Sequence, residues 1–297
     1  MNRAAQSTLL FASLGNLSMA TRKKLSVTLL PASEPARRSG KGPCSGLLIV
    51  NADDWGRDRE ATDRTLECVR RRAVSSVSAM VFMEDSARAA AIAREGDIDA
   101  GLHLNFTTPF SAPGTPQRLV ERQQRLSRYL RRHRFAQAVY HPGLARSFDY
   151  VVAAQIEEFS RLYGAEPARL DGHHHMHLCS NVLFGGLLPP GTLVRRSFSF
   201  QPGEKSLANL IYRKVVDRIL ARRHRLTDYF FSLKPLEPPG RLRKIFSLAQ
   251  QSVVEVETHP VNPEEYQFLS GDGIFRWTGT TPIGPSHPFS YACSSRL

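Results

Sequence analysis

Residues 46–56 read GLLIVNADDWG, and this stretch decides the fold. Residues 46–51 have the length and apolar composition of a buried parallel strand. Asp53 and Asp54 follow directly, and two adjacent carboxylates leaving a buried strand repel each other unless a cation or a proton settles their charge. One carboxylate could hold a metal while its neighbour acts as a base. A turn or a helix cap is the alternative explanation.

Further apolar segments repeat along the chain on both sides of polar, helix-length stretches. Strands are predicted at 77–82, 98–104, 168–172, 193–196, 228–232 and 253–258, and helices at 58–72, 85–95, 148–163 and 205–223. Strands that alternate with helices favour parallel pairing in a single α/β domain. We therefore expect a TIM-barrel-like (β/α) barrel.

The net charge of +13 over 297 residues is local. Residues 1–43 carry seven bases and one acid, residues 117–146 eight and one, and residues 213–225 six and one, so the rest of the chain is mildly acidic. We expect a disordered basic arm over 1–43, an Arg-rich insertion over 117–146 that is helical around 120–140, and an irregular tail over 271–297. Few aromatic residues interleave with these bases, which disfavours nucleic acid as a partner.

Two further sequence features bear on where in the cell the protein is expected to act. Four scattered cysteines without a C-x-x-C pair favour the reducing cytoplasm. No apolar run approaches the roughly 20 residues that a membrane helix needs, so we expect no transmembrane segment.

Polar clusters follow four of the predicted strands, at 51–54, 101–105, 171–177 and 257–260. Because the carboxyl ends of parallel strands meet on one face, these clusters are expected to share a site. The third cluster has four histidines in five positions. If it is extended, His173, His175 and His177 lie on one side with Asp171, and His174 points away.

Imidazole and carboxylate ligands suit zinc, nickel, cobalt, manganese or iron. Two histidines and one aspartate leave positions open for water and substrate, and such a site generates hydroxide near neutral pH. The sequence has no glycine-rich phosphate loop and no nucleophile elbow. Hydrolysis is therefore the chemistry that these residues predict.

Five motifs in order resemble the YdjC-like carbohydrate deacetylase family, over roughly residues 46–268. They are VNADDWG at 50–56, VSSVS at 74–78, GLHLN at 101–105, LDGHHHMH at 170–177 and ETHP at 257–260. The resemblance implies a distorted α/β barrel and a deacetylase domain over 44–270.

The resemblance also implies roles for particular residues. Asp54, His103 and His173 would hold a divalent metal, Asp53 would be the general base, and His259 would protonate the departing amine. Candidates for substrate binding are Asn105, Asp171 and His175. The family suggests Mg²⁺, whereas the ligand set by itself favours Zn²⁺.

The implied reaction is hydrolysis of an acetyl group from an N-acetylated sugar, either an oligosaccharide or a glycolipid, through metal-activated water. Two alternatives stay open: hydrolysis of another amide or a phosphoester, and a non-enzymatic protein that binds an anionic polymer. A homodimer and a peripheral association with the membrane also stay open.

Overall fold

The computed structural model describes residues 46–133, 135–200, 204–279 and 281–286. These residues belong to one compact unit, as expected for a single domain. The predicted arm over 1–43 and residues 287–297 lie outside the described part of the chain.

Seven strands form the centre of the domain. They are β1 Leu47–Trp55, β2 Ser76–Ala79, β3 Ala100–Leu104, β4 Arg169–Gly172, β5 Leu193–Val194, β6 Tyr229–Ser232 and β7 Val253–Thr258. The strands pair in the order β5-β4-β3-β2-β1-β7-β6, and every pair is parallel. The prediction of an α/β fold with a parallel sheet is therefore confirmed.

The sheet curls until its two edges meet. Val194 N donates to Arg225 O over 2.9 Å, and Ser199 N donates to Phe230 O over 2.8 Å, so β5 and the chain after it are linked to β6 and the residues before it. These few hydrogen bonds replace a regular strand pair where β5 and β6, the two edge strands, approach each other. The result is a distorted, TIM-barrel-like arrangement of seven strands.

Nine helices are present in the described residues. They are α1 Arg59–Arg70, α2 Ser86–Glu95, α3 Gln117–Leu130, α4 Ala145–Tyr163, α5 Ser180–Gly185, α6 Leu207–Leu220, α7 Pro239–Leu248, α8 Pro263–Ser270 and α9 Gly273–Thr278. Short 3-10 turns occupy Ala136–Ala138, Pro142–Leu144 and His173–Leu178. Across the described residues, no helix combines the length and apolarity needed to cross a bilayer.

The two faces of β1 have different neighbours. Leu48, Val50 and Ala52 join the apolar core beneath the helices. Asn51 and Asp53 alternate with them and are equally buried, so they point to the opposite face of the sheet. Polar side chains of neighbouring strands meet on that inner face, and this positions the site.

The Arg-rich segment is an ordered layer of the domain. Its helix, α3, spans Gln117–Leu130 and ends before the predicted limit near residue 140. Leu119, Leu126 and Leu130 are buried in the core, while the arginines of α3 lie on the outer side. That this segment is an insertion stays a prediction.

The prediction of an irregular tail from Gly271 is wrong for part of its described residues. Gly273–Thr278 form α9, because Ile274 and Thr278 lie one helical turn apart and both are buried. Farther on, Ile283 bridges Leu48 at the start of β1. The folded domain therefore extends past residue 270.

Candidate functional site

A cavity of about 630 Å³ opens at the carboxyl ends of the strands. Six of the sequence-predicted site residues line it: Asp53, Asp54, His103, His173, His175 and His259. The wall is completed by Arg57, Thr108, Arg131, His174 and Glu257. The convergence expected from the parallel sheet is therefore observed for these six.

A bulge in β1 directs both of its carboxylates toward this cavity. The pairing of β1 with β2 shifts register between Ala52 and Trp55. Asp54 within that shift has φ of 65°, in the left-handed region that aspartate tolerates better than most residues. A bulge re-aims a side chain that would otherwise face the other side of the strand. Adjacent residues of one strand can thus share one site.

Asp54 has two oxygens in different surroundings. Oδ2 accepts a 2.6 Å hydrogen bond from Arg57. Oδ1 lies 2.9 Å from His173 Nδ1 and 3.5 Å from His103 Nε2, and it has no hydrogen-bond partner. Burial alone would raise the pKa of Asp54, but the two histidines outweigh it and hold that pKa well below its usual value. Asp54 is therefore a carboxylate with a free, buried oxygen.

His103 is fixed by a carboxylate behind it. Its Nδ1 lies 2.7 Å from Asp171 Oδ1, and because a carboxylate only accepts, Nδ1 carries the proton. In the neutral ring, Nε2 then presents its lone pair toward Asp54, and this atom also has no hydrogen-bond partner. A carboxylate that orients a histidine in this way is the usual support of a metal ligand.

Asp54, His103 and His173 fit a metal ion. One ligand atom from each lies within 4.8 Å of the others, and all three residues are buried. Burial lowers the pKa of His103, but Asp53 and Asp171 outweigh it and raise that pKa to about 10, so the group favours a positive charge. A bound cation would supply that charge at the two unpartnered atoms.

A second trio, Asp53 with His103 and Asp171, meets the same distance limit. It fits a metal less well, because both oxygens of Asp53 are bonded to Arg195 and both oxygens of Asp171 contact His103 or Arg195. Arg57, by contrast, engages only Oδ2 of Asp54. The Arg195 guanidinium lies 2.7 Å from Asp53 Oδ2 and 2.9 Å from Asp171 Oδ2. The first trio is therefore the better candidate.

Asp53 is held by Arg195 at both of its oxygens. The two guanidinium nitrogens donate to Oδ1 and Oδ2 over 2.7 Å each, and Asn51 Nδ2 donates to Oδ1 over 2.8 Å. Burial raises the pKa of Asp53, yet Arg195 outweighs it and holds that pKa below its usual value. Asp53 is thus an ionised carboxylate in a fixed orientation.

Arg195 was not predicted from the sequence as a site residue. Its side chain is 1% exposed and also pairs with Glu255 at 2.7 Å and Glu257 at 3.4 Å. One cation therefore faces four carboxylates at the centre of the barrel. One sequence signal could have identified it: an arginine comes directly after the two apolar residues of β5. A charged side chain at the end of a buried strand rarely lacks an oppositely charged partner.

The histidine-rich segment is not extended, contrary to the expectation. Residues His173–Leu178 form a 3-10 turn, and His174 and His175 have φ of 54° and 57°. His173 and His175 line the cavity, whereas His177 is fully buried and its Nε2 contacts Arg195 O at 3.0 Å. His174 does not point away: it also lines the cavity and contacts Thr107.

Two predicted substrate-binding residues do not line the cavity. Asn105 is fully buried, and its amide binds Thr108 O and the backbone nitrogens of Thr107 and Thr108, so it shapes the loop after β3. Asp171 is also fully buried and lies behind His103. Both side chains therefore lie behind the lining of the cavity, and that they contact substrate stays a prediction.

Comparison with known families agrees with this geometry. The profile of the YdjC-like protein family matches residues 47–268, which is most of the chain. The chain belongs to the YdjC-like family.

Curated relatives of this YdjC-like chain include chitooligosaccharide deacetylases. The one from Enterobacter sp. (strain 638) is 32% identical over 132 residues, which cover 44% of this chain and 50% of that protein. The one from Yersinia pestis (strain Pestoides F) is 28% identical over 235 residues, covering 76% and 85% respectively. The match to the first of these relatives thus spans about half of its length.

A solved structure shares the fold of the YdjC-like chain. It comes from Enterococcus faecalis V583, and its name gives a proposed role in cellobiose-phosphate cleavage. The TM-score is 0.58 at 18% identity, covering 84% of this chain and all of the other. At this identity the likeness concerns the fold alone.

The last predicted site residue, His259, follows β7 inside the YdjC-like region. Its backbone nitrogen donates to Glu265 Oε2 over 2.8 Å, and Thr258 Oγ1 donates to the same oxygen over 2.6 Å. These two bonds fix the turn between β7 and α8, so His259 stays on the cavity wall. It lines the same cavity as Asp53, as an acid and a base that act on one substrate would require.

Proposed function

We propose that this protein is a metal-dependent hydrolase that removes the acetyl group from an N-acetylated sugar. The observation that carries the proposal is the pair of buried, unpartnered atoms, Asp54 Oδ1 and His103 Nε2, beside His173 in an open cavity. The deacetylase names of its relatives supply the substrate class. An oligosaccharide and the sugar of a glycolipid both belong to that class.

Asp54, His103 and His173 would hold the metal. When bound, a divalent ion there polarises the acetyl carbonyl and lowers the pKa of a coordinated water. Two imidazoles and one carboxylate favour zinc by softness, and the family resemblance favours magnesium. Metal analysis decides between them.

Asp53 is the proposed general base. Its Oδ2 lies 4.0 Å from His103 Nε2, so the carboxylate adjoins the position where the three ligands converge. Arg195 keeps it ionised and fixes its orientation, so that it can take the proton of the attacking water. A base whose position is fixed before the reaction contributes typically 10²–10⁴-fold to the rate.

His259 is the proposed acid for the departing amine. His175 is less suited to this role, because burial and the nearby Arg195 hold its pKa well below the usual value and keep it neutral. We propose instead that His175 contacts the sugar from the wall of the cavity. Its ring is supported by Phe198, with ring centroids 4.6 Å apart.

The reaction class is tested by measuring products with the purified, metal-loaded protein. Acetate release from N-acetylglucosamine oligomers, without phosphate release from generic phosphoesters, is the expected result. Phosphate release alone, or hydrolysis of unrelated amides alone, would favour the alternative hydrolase. Binding of an anionic polymer with no hydrolysis of any substrate would favour the non-enzymatic alternative.

The metal site is tested by changing its histidines. We expect His103→Ala/His173→Ala to lose bound metal and acetate release together, because two of three ligands are gone. His224→Ala is the matched control, since His224 contacts Thr192 and does not line the cavity. Metal bound at the wild-type level after the double change would overturn the proposal.

A further inference from the structure

The helix α6 exposes large apolar side chains that a surface helix normally buries. Leu207 is 73% exposed, Ile211 53%, Val215 51% and Tyr212 44%. Only Val216 and Leu220 of this helix are buried. At 100° per residue, Leu207, Ile211 and Val215 fall within an arc of about 80° on the side away from the buried pair. Tyr212 lies at the edge of that side, about 40° from Val216. The side of α6 that faces outward is therefore apolar over its first two turns.

Positively charged side chains lie beside the exposed apolar residues of α6. Lys214 and Arg218 are exposed, and their helical positions lie among those of the apolar residues. Arg222 is exposed in the turn that follows the helix. Between residues 207 and 222 the sole acid is Asp217, which pairs with Arg196 at 2.8 Å. In the described residues, no ion pair neutralises these three cations. The outward side of α6 thus joins apolar groups to uncompensated positive charge.

The inward side of α6 contacts aromatic residues that lie near the cavity. The chain runs from Arg195 through Phe198 and Phe200 into the helix. Phe198 packs on His175, which lines the cavity, and the Arg213 guanidinium lies 4.8 Å from the Phe200 ring centroid. Arg213 lies on the same side of α6 as the buried Leu220, so this contact belongs to the inward side of the helix.

We propose that the outward side of α6 docks on an anionic lipid bilayer. An amphipathic helix with exposed apolar side chains and Lys or Arg beside them lies in the headgroup region of such a membrane. The complementary charge favours this occupant over a second copy of the chain, because two such surfaces would place six cations against each other without an acid. Docking does not depend on the proposed reaction. If that reaction is correct, docking holds the protein at a surface that can carry glycolipid substrates.

Vesicle binding tests the proposal with the full chain. We expect the wild type to co-sediment with vesicles of phosphatidylcholine and phosphatidylglycerol, and to bind phosphatidylcholine alone much more weakly. Ile211→Ser/Val215→Ser should weaken binding roughly tenfold or more, because two apolar groups no longer leave water. The matched control is Phe275→Ser, which removes a side chain that is 40% exposed on α9. It should bind as the wild type does.

The charges are tested separately. Lys214→Gln/Arg218→Gln/Arg222→Gln should weaken binding to the anionic vesicles about fivefold for each charge removed, and less at high salt. Hydrolysis of a soluble N-acetylated oligosaccharide should be unchanged in all these variants. That readout separates a failure of docking from a failure of the proposed reaction.

Three results would overturn the docking proposal. The first is a wild type that does not bind the anionic vesicles. The second is an Ile211→Ser/Val215→Ser variant that binds them as tightly as the wild type does. The third is a dimeric wild type that the same change makes monomeric without altering vesicle binding, since a second copy would then be the occupant.

Discussion

The floor of the cavity has two sides, and the adjacent carboxylates of Asp54 and Asp53 have different hydrogen-bond partners on them. On one side, Asp54 keeps a buried oxygen without a hydrogen-bond partner, next to two histidines. On the other side, both oxygens of Asp53 are held by Arg195. The two residues share a strand, a bulge and a burial class, so the difference arises from what faces them across the barrel.

This difference shows that one barrel interior can neutralise some carboxylates with its own cation and leave another available to a metal ion. Where the protein itself neutralises the carboxylates, through Arg195, the charge contributes to the fold and fixes the orientation of Asp53, the proposed base. Where one carboxylate oxygen and one imidazole nitrogen have no hydrogen-bond partner, an ion can complete the site. Changes on the Arg195 side should therefore act first on stability, and changes on the Asp54 side first on metal binding.

The largest effect is expected on the Arg195 side. Arg195→Met leaves Asp53, Asp171 and Glu255 buried without their cation, so we expect the free energy of unfolding to fall by about 3–5 kcal/mol. Denaturant-induced unfolding measures this loss. Arg161→Met is the control: Arg161 is 66% exposed and pairs with Glu158 at 2.7 Å. The control should cost less than about 1 kcal/mol. Similar small losses in both variants would contradict the role given to Arg195.

A smaller effect is expected from a change at Asp171, which contacts Arg195 on one side and His103 on the other. Asp171→Asn removes the carboxylate that fixes the proton on His103 Nδ1, and we expect metal affinity to fall roughly 10–100-fold. Asp99→Asn is the control, because Asp99 is also buried but accepts from Ser76 and Ser286 before β3 begins. Titration of the metal-free protein measures both affinities. Equal affinities in the two variants would show that Asp171 does not support His103.

The sequence predicted the parts of the site that depend on strand ends. Asp53, Asp54, His103 and His259 each follow an apolar strand signal, and parallel pairing then brings them together. Arg195 escaped prediction because its partner Asp53 is 142 residues away, and spacing along the chain carries no sign of that pairing. Alternation of side chains, which is reliable inside a strand, also failed where the strand stops at Gly172 and two left-handed residues follow.

For the fold as well, the sequence pattern predicted some features and not others. Strand and helix patterns predicted the parallel α/β sheet, because burial imposes a local period on each element. They did not predict α9, since its six residues contain a glycine and only two buried positions. They also did not show the outward side of α6. Its apolar residues satisfy the helical period equally well when they face the core or the solvent.

The most direct test of the central claim compares Asp53→Asn with Asp54→Asn in one preparation series. Bound metal and acetate release from N-acetylated oligosaccharides are measured for each variant. The account predicts that Asp53→Asn keeps its metal and loses turnover by about 10²–10⁴-fold, whereas Asp54→Asn loses metal and turnover together. An Asp53→Asn variant without metal, or an Asp54→Asn variant with full metal and full turnover, would contradict it.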